Sequence, residues 1–275
     1  MIIRRKNMLS YGFMQKSFIM GIMIALIAPT IGYFLVLRRQ SIIGDTLSHV
    51  ALSGAAFGMV TNSYPVYTAI LFAIIAALGI EGLRKKYENY AELSLAIVLS
   101  AGVGLASVLI SLGNTQGILS YLFGSLALVT NQDIFLVIIL GIIVLITISF
   151  FYEGLFYISF DEESAYLAGV PNRFINLFFS ILVALTVAIS MRIVGVLLIS
   201  SLMVLPVATS LLIATSFKSG LIYSNIFGLI SVIIGLTLSF YLDIAPGGSI
   251  VLSALLLLII VIVFENIKNK RKKPA

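Results

Sequence analysis

The stretch QDIFLVIILGIIVLITISFFY, residues 132–152, decides the fold class. After its opening Gln-Asp it carries no charge, and a helix of about 20 residues, rising about 1.5 Å per residue, crosses the ~30 Å hydrocarbon core of a bilayer. Lipid supplies no hydrogen-bond partners, so such a run must satisfy its own backbone in a helix or belong to a closed barrel. A barrel shows short alternating segments, and this run does not alternate. Comparable runs recur near 17–37, 41–62, 64–83, 91–112, 174–191, 195–217, 221–242 and 248–265. The expected class is therefore all-α: a polytopic transmembrane helical bundle of about nine spans (eight to ten), forming one domain over residues 1–275. Hydrophobic residues at 60%, charged residues at 10% and a mean hydropathy of +1.16 exclude a soluble globular domain.

The net charge of +6 is distributed by topology. With the C-terminus in the cytosol, Arg38, Arg39, Arg84, Lys85, Lys86, Arg173, Lys218 and the basic tail within 266–275 all fall inside, while Arg4, Arg5, Lys6 and Lys16 stand outside. The positive charge is thus read as positive-inside patterning against anionic membrane lipid, with no nucleic-acid partner. Cysteine is absent, which excludes disulfides and thiolate metal sites. No small-residue cleavage site follows a short apolar core, so residues 17–37 read as a retained helix. Residues 116–131 are too short and polar-flanked to span, and are expected to form a re-entrant or interfacial piece.

Residues 44–58, GDTLSHVALSGAAFG, hold the chain's only histidine, His49, four residues after Asp45. Positions i and i+4 share a helix face. Ionisable groups in a membrane helix are costly unless partnered. Three readings stand: a mutually hydrogen-bonded packing pair, a proton relay, or a transition-metal site built from imidazole and carboxylate. A bound cation would keep Asp45 ionised. Two ligands are fewer than the four of a structural zinc site, as suits a site that must release its ion, and a two-fold oligomer would bring a second pair nearby. Ser41, Gly44, Thr46, Ser48, Ser53, Gly54 and Gly58 make this helix slender and polar. Ser48, Arg192 and Asp243 are further path or gate candidates. The plainer readings are an interfacial anchor for Arg192, which is preferred, and a loop residue beside Pro-Gly-Gly for Asp243. Asp133 reads as serving the N-terminus of its helix, and Pro206 as kinking its span.

Residues 152–173 form the longest polar-bearing inner loop. Within it DEESAYLAG reads as a short helix, with Asp161, Glu162 and Glu163 at its N-terminus and Gly169 then Pro171 ending it. It is either a capped surface helix or a docking element.

Four segments, GYFLVLRRQSIIGDTLSHVALSGAAFG (32–58), FDEESAYLAGVP (160–171), RIVGVLLISSLMVLPVATS (192–210) and LDIAPGGSIVL (242–252), together resemble the membrane permease subunit of the zinc- and manganese-importing family of ATP-binding-cassette transporters. The resemblance implies a vitamin-B12-importer-like permease architecture in the bacterial plasma membrane, a homodimer, a pair of separate cytosolic ATPase subunits, and an extracellular or periplasmic solute-binding protein that delivers the metal. It implies Asp45 and His49 as metal-path residues for Zn²⁺ or Mn²⁺, with no permanently bound cofactor. It also implies a coupling segment against the ATPase that includes Phe160, Asp161, Glu162, Glu163, Ala165, Leu167, Ala168, Gly169 and Val170. No Gly-x-x-x-x-Gly-Lys-Ser/Thr loop occurs, so ATP is expected on the partner chain and the permease itself is not an enzyme. The stretch around Asp45 looks closer to the zinc branch than to the manganese branch. Rival readings are a proton- or sodium-driven secondary transporter, a membrane scaffold and, least favoured, an intramembrane enzyme.

Overall fold

The computed structural model describes residues 8–87, 91–112, 117–127 and 129–272. Arg4, Arg5 and Lys6, and the end of the basic tail, lie outside the described residues. After a 3₁₀ turn at Met8–Ser10 come twelve α-helices: α1 (Gly12–Leu37), α2 (Ile42–Val60), α3 (Pro65–Lys86), α4 (Ala91–Leu112), α5 (Ile118–Phe123), α6 (Asn131–Phe150), α7 (Tyr152–Phe160), α8 (Glu162–Leu167), α9 (Asn172–Ser190), α10 (Val196–Ile213), α11 (Phe217–Leu242) and α12 (Pro246–Lys272).

Local chemistry sets the ends. Pro65 opens α3, and Arg84, Lys85 and Lys86 fill its last turn, where the helix dipole favours cations. Thr130 and Asp133 form a reciprocal capping box on α6, and Ser216 with Ser219 does the same for α11. That second box moves the α10–α11 boundary: α10 stops at Ile213 and α11 begins at Phe217, so Phe217, expected to close one span, opens the next. Residues 152–160, expected as loop, form α7, a short helix rich in aromatic side chains.

Eight of these helices are long and apolar enough to cross a membrane. The exception among the nine expected is α2, whose 19 residues include Asp45, His49 and a run of Ser, Thr and Gly. Its neighbours explain how it is accommodated: α2 packs on α3 and α4 and also touches α9 and α10, and 13 of its 19 residues are buried. On the other side α1 packs on α10, α11 and α6, and α12 closes against α10 and α11. The α1 and α10 backbones touch at Gly32, where any Cβ would run into the Met203 carbonyl.

Two polar clusters mark opposite ends of the bundle. At one end Arg38, after α1, bonds Asn176 near the start of α9, and Glu81 near the end of α3 bonds Ser180. At the other end Tyr64, just before α3, bonds Asp133 of α6, which pairs with Arg192 just beyond α9. Since α2 leaves Arg38 and arrives at Tyr64, it runs from one end to the other. The short α5, as expected for 116–131, does not span; it tucks against α10, α2 and α12 at the Arg192 end.

Candidate functional site

Asp45 lies in the first turn of α2 and His49 one turn further, about 5 and 10 Å along the axis from the helix start. The pair therefore sits in the half of α2 nearest Arg38. Its Nε2 and Oδ1 atoms are 4.0 Å apart, and the side chains are 25% exposed for His49 and 47% for Asp45. That separation is beyond a hydrogen bond, so the reading in which the two satisfy each other as packing is not the arrangement observed. Two donors each about 2.1 Å from one tetrahedral ion stand about 3.4 Å apart, so a small closure would place both on one cation. The dipole at the N-terminus of α2 favours the Asp45 carboxylate but gives no account of His49. No group of three or more His, Cys, Asp or Glu side chains that could hold a metal occurs among the described residues. One chain thus offers two donors.

Ser48, next to His49, is buried, and its hydroxyl donates to the Gly44 carbonyl at 2.7 Å. Its proton is therefore engaged within its own helix. Asp243 caps the end of α11 in the left-handed conformation, exposed and at the Arg192 end of the bundle, away from Asp45. The structure buries Ser48 beside His49 and places Asp243 away from the pair.

Arg192 departs from its preferred reading. Instead of an interfacial anchor it is buried, its Nε 3.3 Å from Asp133 Oδ1. Its guanidinium lies over the rings of Tyr121, at 4.8 Å, and Tyr64, at 5.5 Å. Asp133 also accepts from Tyr64 Oη and from the Thr130 backbone and hydroxyl. Burial, then the bond to Asp133, hold the Tyr64 phenol above its ordinary pKa, so it remains a donor at neutral pH. The expected role of Asp133 at its helix N-terminus holds, and the ion pair is added to it.

At the opposite end α8 is built as its sequence suggested. Asp161 caps it, accepting from the Glu163 and Ser164 amides and from the Ser164 hydroxyl. Those bonds, the hydroxyl first, hold its carboxyl below the usual range. Gly169 turns the chain with a φ of +86°, a conformation costly for other residues. Ala165 is buried beneath the helix, and Val170 is half-buried, whereas Phe160, Asp161, Glu162, Glu163, Leu167, Ala168 and Gly169 face outward. Phe160, Tyr166 and Leu167 are 70%, 69% and 80% exposed. Such an apolar cluster on a short, capped helix suits a protein partner better than water. Beneath it α7 is held by rings: Phe156 lies 4.7 Å from Phe217, which also contacts Phe34.

One network escaped the sequence reading. Arg38 Nη2 donates to Asn176 Oδ1 at 2.5 Å, and Asn176 Nδ2 donates to Glu162 Oε1 at 2.7 Å. Burial lowers the Arg38 pKa to about 10, with Glu162 opposing the shift, so Arg38 stays charged at neutral pH. The only sequence signal was the presence of two asparagines, Asn172 and Asn176, on one face of an otherwise apolar helix start.

Residues 10–265 match the family described as the ABC 3 transport family. The chain belongs to that family. It is similar to a probable metal transport system membrane protein of Treponema pallidum, 37% identical over 96% of this chain and 100% of the relative. The manganese transport system membrane protein MntC of Listeria innocua is 31% identical over 94% of this chain and 93% of its own. The high-affinity zinc uptake system membrane protein ZnuB of Haemophilus influenzae is 32% identical over 87% and 93%. Among solved structures, PsaBC from Streptococcus pneumoniae in complex with Fab superposes with a TM-score of 0.83 at 30% identity, covering 93% of this chain and 92% of that one. The near-equal likeness to relatives named for manganese and for zinc removes the support for the zinc branch alone. With eight apolar spans among its described residues, this family member is a multi-pass protein of the bacterial cell membrane.

Proposed function

We propose that this chain is the permease of an ATP-driven importer for a divalent transition metal, zinc or manganese. The observation that carries this reading is the Asp45–His49 pair: two donors 4.0 Å apart, accessible, without a hydrogen bond between them, on the central helix. Both metals accept imidazole and carboxylate, so the donor set leaves the choice between them to delivery and availability. Two chains in a homodimer would supply four such donors. The basic end, with Arg38, Arg84–Lys86 and Arg173, faces the cytosol by the positive-inside rule, which makes α2 a ninth span. There the exposed Phe160, Tyr166 and Leu167 would dock on a separate ATPase pair, in the vitamin-B12-importer manner. Closure of the ATPases would push on residues 160–171 and switch the side from which the Asp45–His49 pair is reached, after an external binding protein has delivered the ion. On this reading the permease binds and positions the cation but performs no bond chemistry.

The test is uptake of radiolabelled zinc and manganese by importer-deficient cells expressing this chain with its ATPase and binding protein. Asp45→Asn and His49→Ala, checked for membrane insertion, are expected to lose most of the ATP-dependent uptake of the same metal. Unimpaired uptake in both would return the pair to a structural role, and uptake persisting without the ATPase would point to a secondary transporter.

A further inference from the structure

At the basic end one amide joins three helices. Arg38 follows α1, Asn176 is on α9, and Glu162 opens α8; Asn176 accepts from the first and donates to the second. The residue type is what this position requires: a guanidinium only donates, a carboxylate only accepts, and an amide does both. Asn172 adds a bond from its Nδ2 to the Glu162 carbonyl at 2.5 Å, fastening α8 to α9 at the same point. A direct Arg–Glu pair would be a strong, bidentate contact. An amide between the two charges makes the chain of contacts weaker and exchangeable.

The geometry on either side gives that exchange consequences. Arg38 and the start of α2 are separated only by residues 39–41, with Arg39 held at a φ of +56° and Gln40 bonded back to the Leu35 carbonyl. A turn this tight has little slack, so displacement of Arg38 is passed to the first turn of α2, where Asp45 lies. On the Glu162 side is a cavity of about 340 Å³ lined by Glu81, Arg84, Lys85, Glu162, Arg173 and Asn176. Arg84, already 3.4 Å from Glu81, and Lys85 and Arg173 line the same space, and are the cations that Glu162 would face on leaving Asn176. The present arrangement is itself incompletely satisfied, since Arg38 Nη1 is buried without a hydrogen-bond partner. Two discrete arrangements of one packed network are the physical requirement for coupling between distant elements.

We propose that Asn176 is a positioning residue: through the Glu162–Asn176–Arg38 chain it ties the place of α8 to the start of α2, and so sets access to Asp45 and His49. This deepens the proposed function and rests on it. The test uses the whole transporter, permease with ATPase, reconstituted in proteoliposomes, with ATP hydrolysis and zinc or manganese transport read separately. Asn176→Leu loses both bonds at similar volume, and Asn176→Asp keeps the acceptor for Arg38 but repels Glu162. Both are expected to keep hydrolysing ATP while cations moved per ATP fall by about tenfold. Glu162→Gln is expected to restore Asn176→Asp, because its amide can donate to the new carboxylate.

The chain has no cysteine, so Ser41→Cys provides a single thiol at the α1–α2 turn. Its labelling by a thiol reagent is expected to change with ATP in the wild-type background and to become ATP-insensitive with Asn176→Leu. An unchanged transport-to-hydrolysis ratio in both variants, or Ser41→Cys labelling that still responds to ATP in Asn176→Leu, would overturn the proposal. So would a parallel fall of hydrolysis and transport that Glu162→Gln does not rescue. Asp45→Asn run alongside separates the two ideas: wild-type transport there refutes the metal-path reading, whereas the labelling result judges Asn176 on its own.

Discussion

Cutting either side of the Asp133–Arg192 pair should strand the other charge, so the costs of the two cuts should not add. The side chains are 1% and 10% exposed, at 3.3 Å. At an effective dielectric of about 20 their attraction is on the order of 5 kcal/mol, and mutational experience with buried pairs puts loss of one partner at about 3–5 kcal/mol. Asp133→Asn leaves the guanidinium between Tyr121 and Tyr64 without its carboxylate. Arg192→Met leaves the carboxylate with only Tyr64 and Thr130 as donors. The assay is the temperature at which purified protein in nanodiscs loses half its monodisperse fraction, for both single variants and the double. Each single is expected to fall by about 10 °C, and the double by clearly less than the sum. Full additivity would refute the reasoning, because it would mean that the two charges do not depend on each other.

At the capped helix, Asp161→Ala should speed hydrogen exchange at the Glu163 and Ser164 amides, which it now holds. The Asp161 pKa is depressed in the fold, so its stabilisation is present above the ordinary carboxylate pKa and is lost as pH falls through the folded value; the protection of those amides relative to intrinsic exchange should fall with it. Gly32→Ala drives a methyl into the Met203 carbonyl and is expected to abolish folded protein in a size-exclusion assay. Gly104→Ala, where a Cβ meets nothing within 4 Å, should fold normally or gain up to about 1 kcal/mol from helix propensity.

The bundle was legible because apolar length is a local property: each run carries its own evidence for spanning. So was α8, whose acidic start and Gly-then-Pro end are local signals. The α7 segment was hidden because YEGLFYISF satisfies neither a spanning length nor a polar-loop composition, and its helix is fixed by contacts with Phe217 and Phe34 from distant parts of the chain. Arg192 was misjudged for a related reason. A lone arginine between two apolar runs looks like an interfacial anchor until Asp133 and two tyrosines are folded around it. The Arg38–Asn176 bond joins residues 138 positions apart, and neither has a local pattern that points to the other.

The long helix that falls short of a span's apolarity is also among the best covered, and the two facts have one cause. A helix surrounded by α3, α4, α9 and α10 shows little surface to lipid, so its own apolarity need not meet the demand that lipid makes. Small residues make the cover close: a Cβ at Gly54 would meet the Ala69 backbone, and one at Gly102 of α4 would meet Val50. Asp45 and His49 are a break in that cover, half and one-quarter exposed. Hydrocarbon is a poor neighbour for an ionised carboxylate, so this face must meet water or more protein. A second copy, as proposed, would meet that requirement and bring the donors that one chain lacks. The same face would then be shielded from lipid and able to hold a dehydrating cation, and on the proposal above the Arg38 turn at its base would govern when the ion leaves.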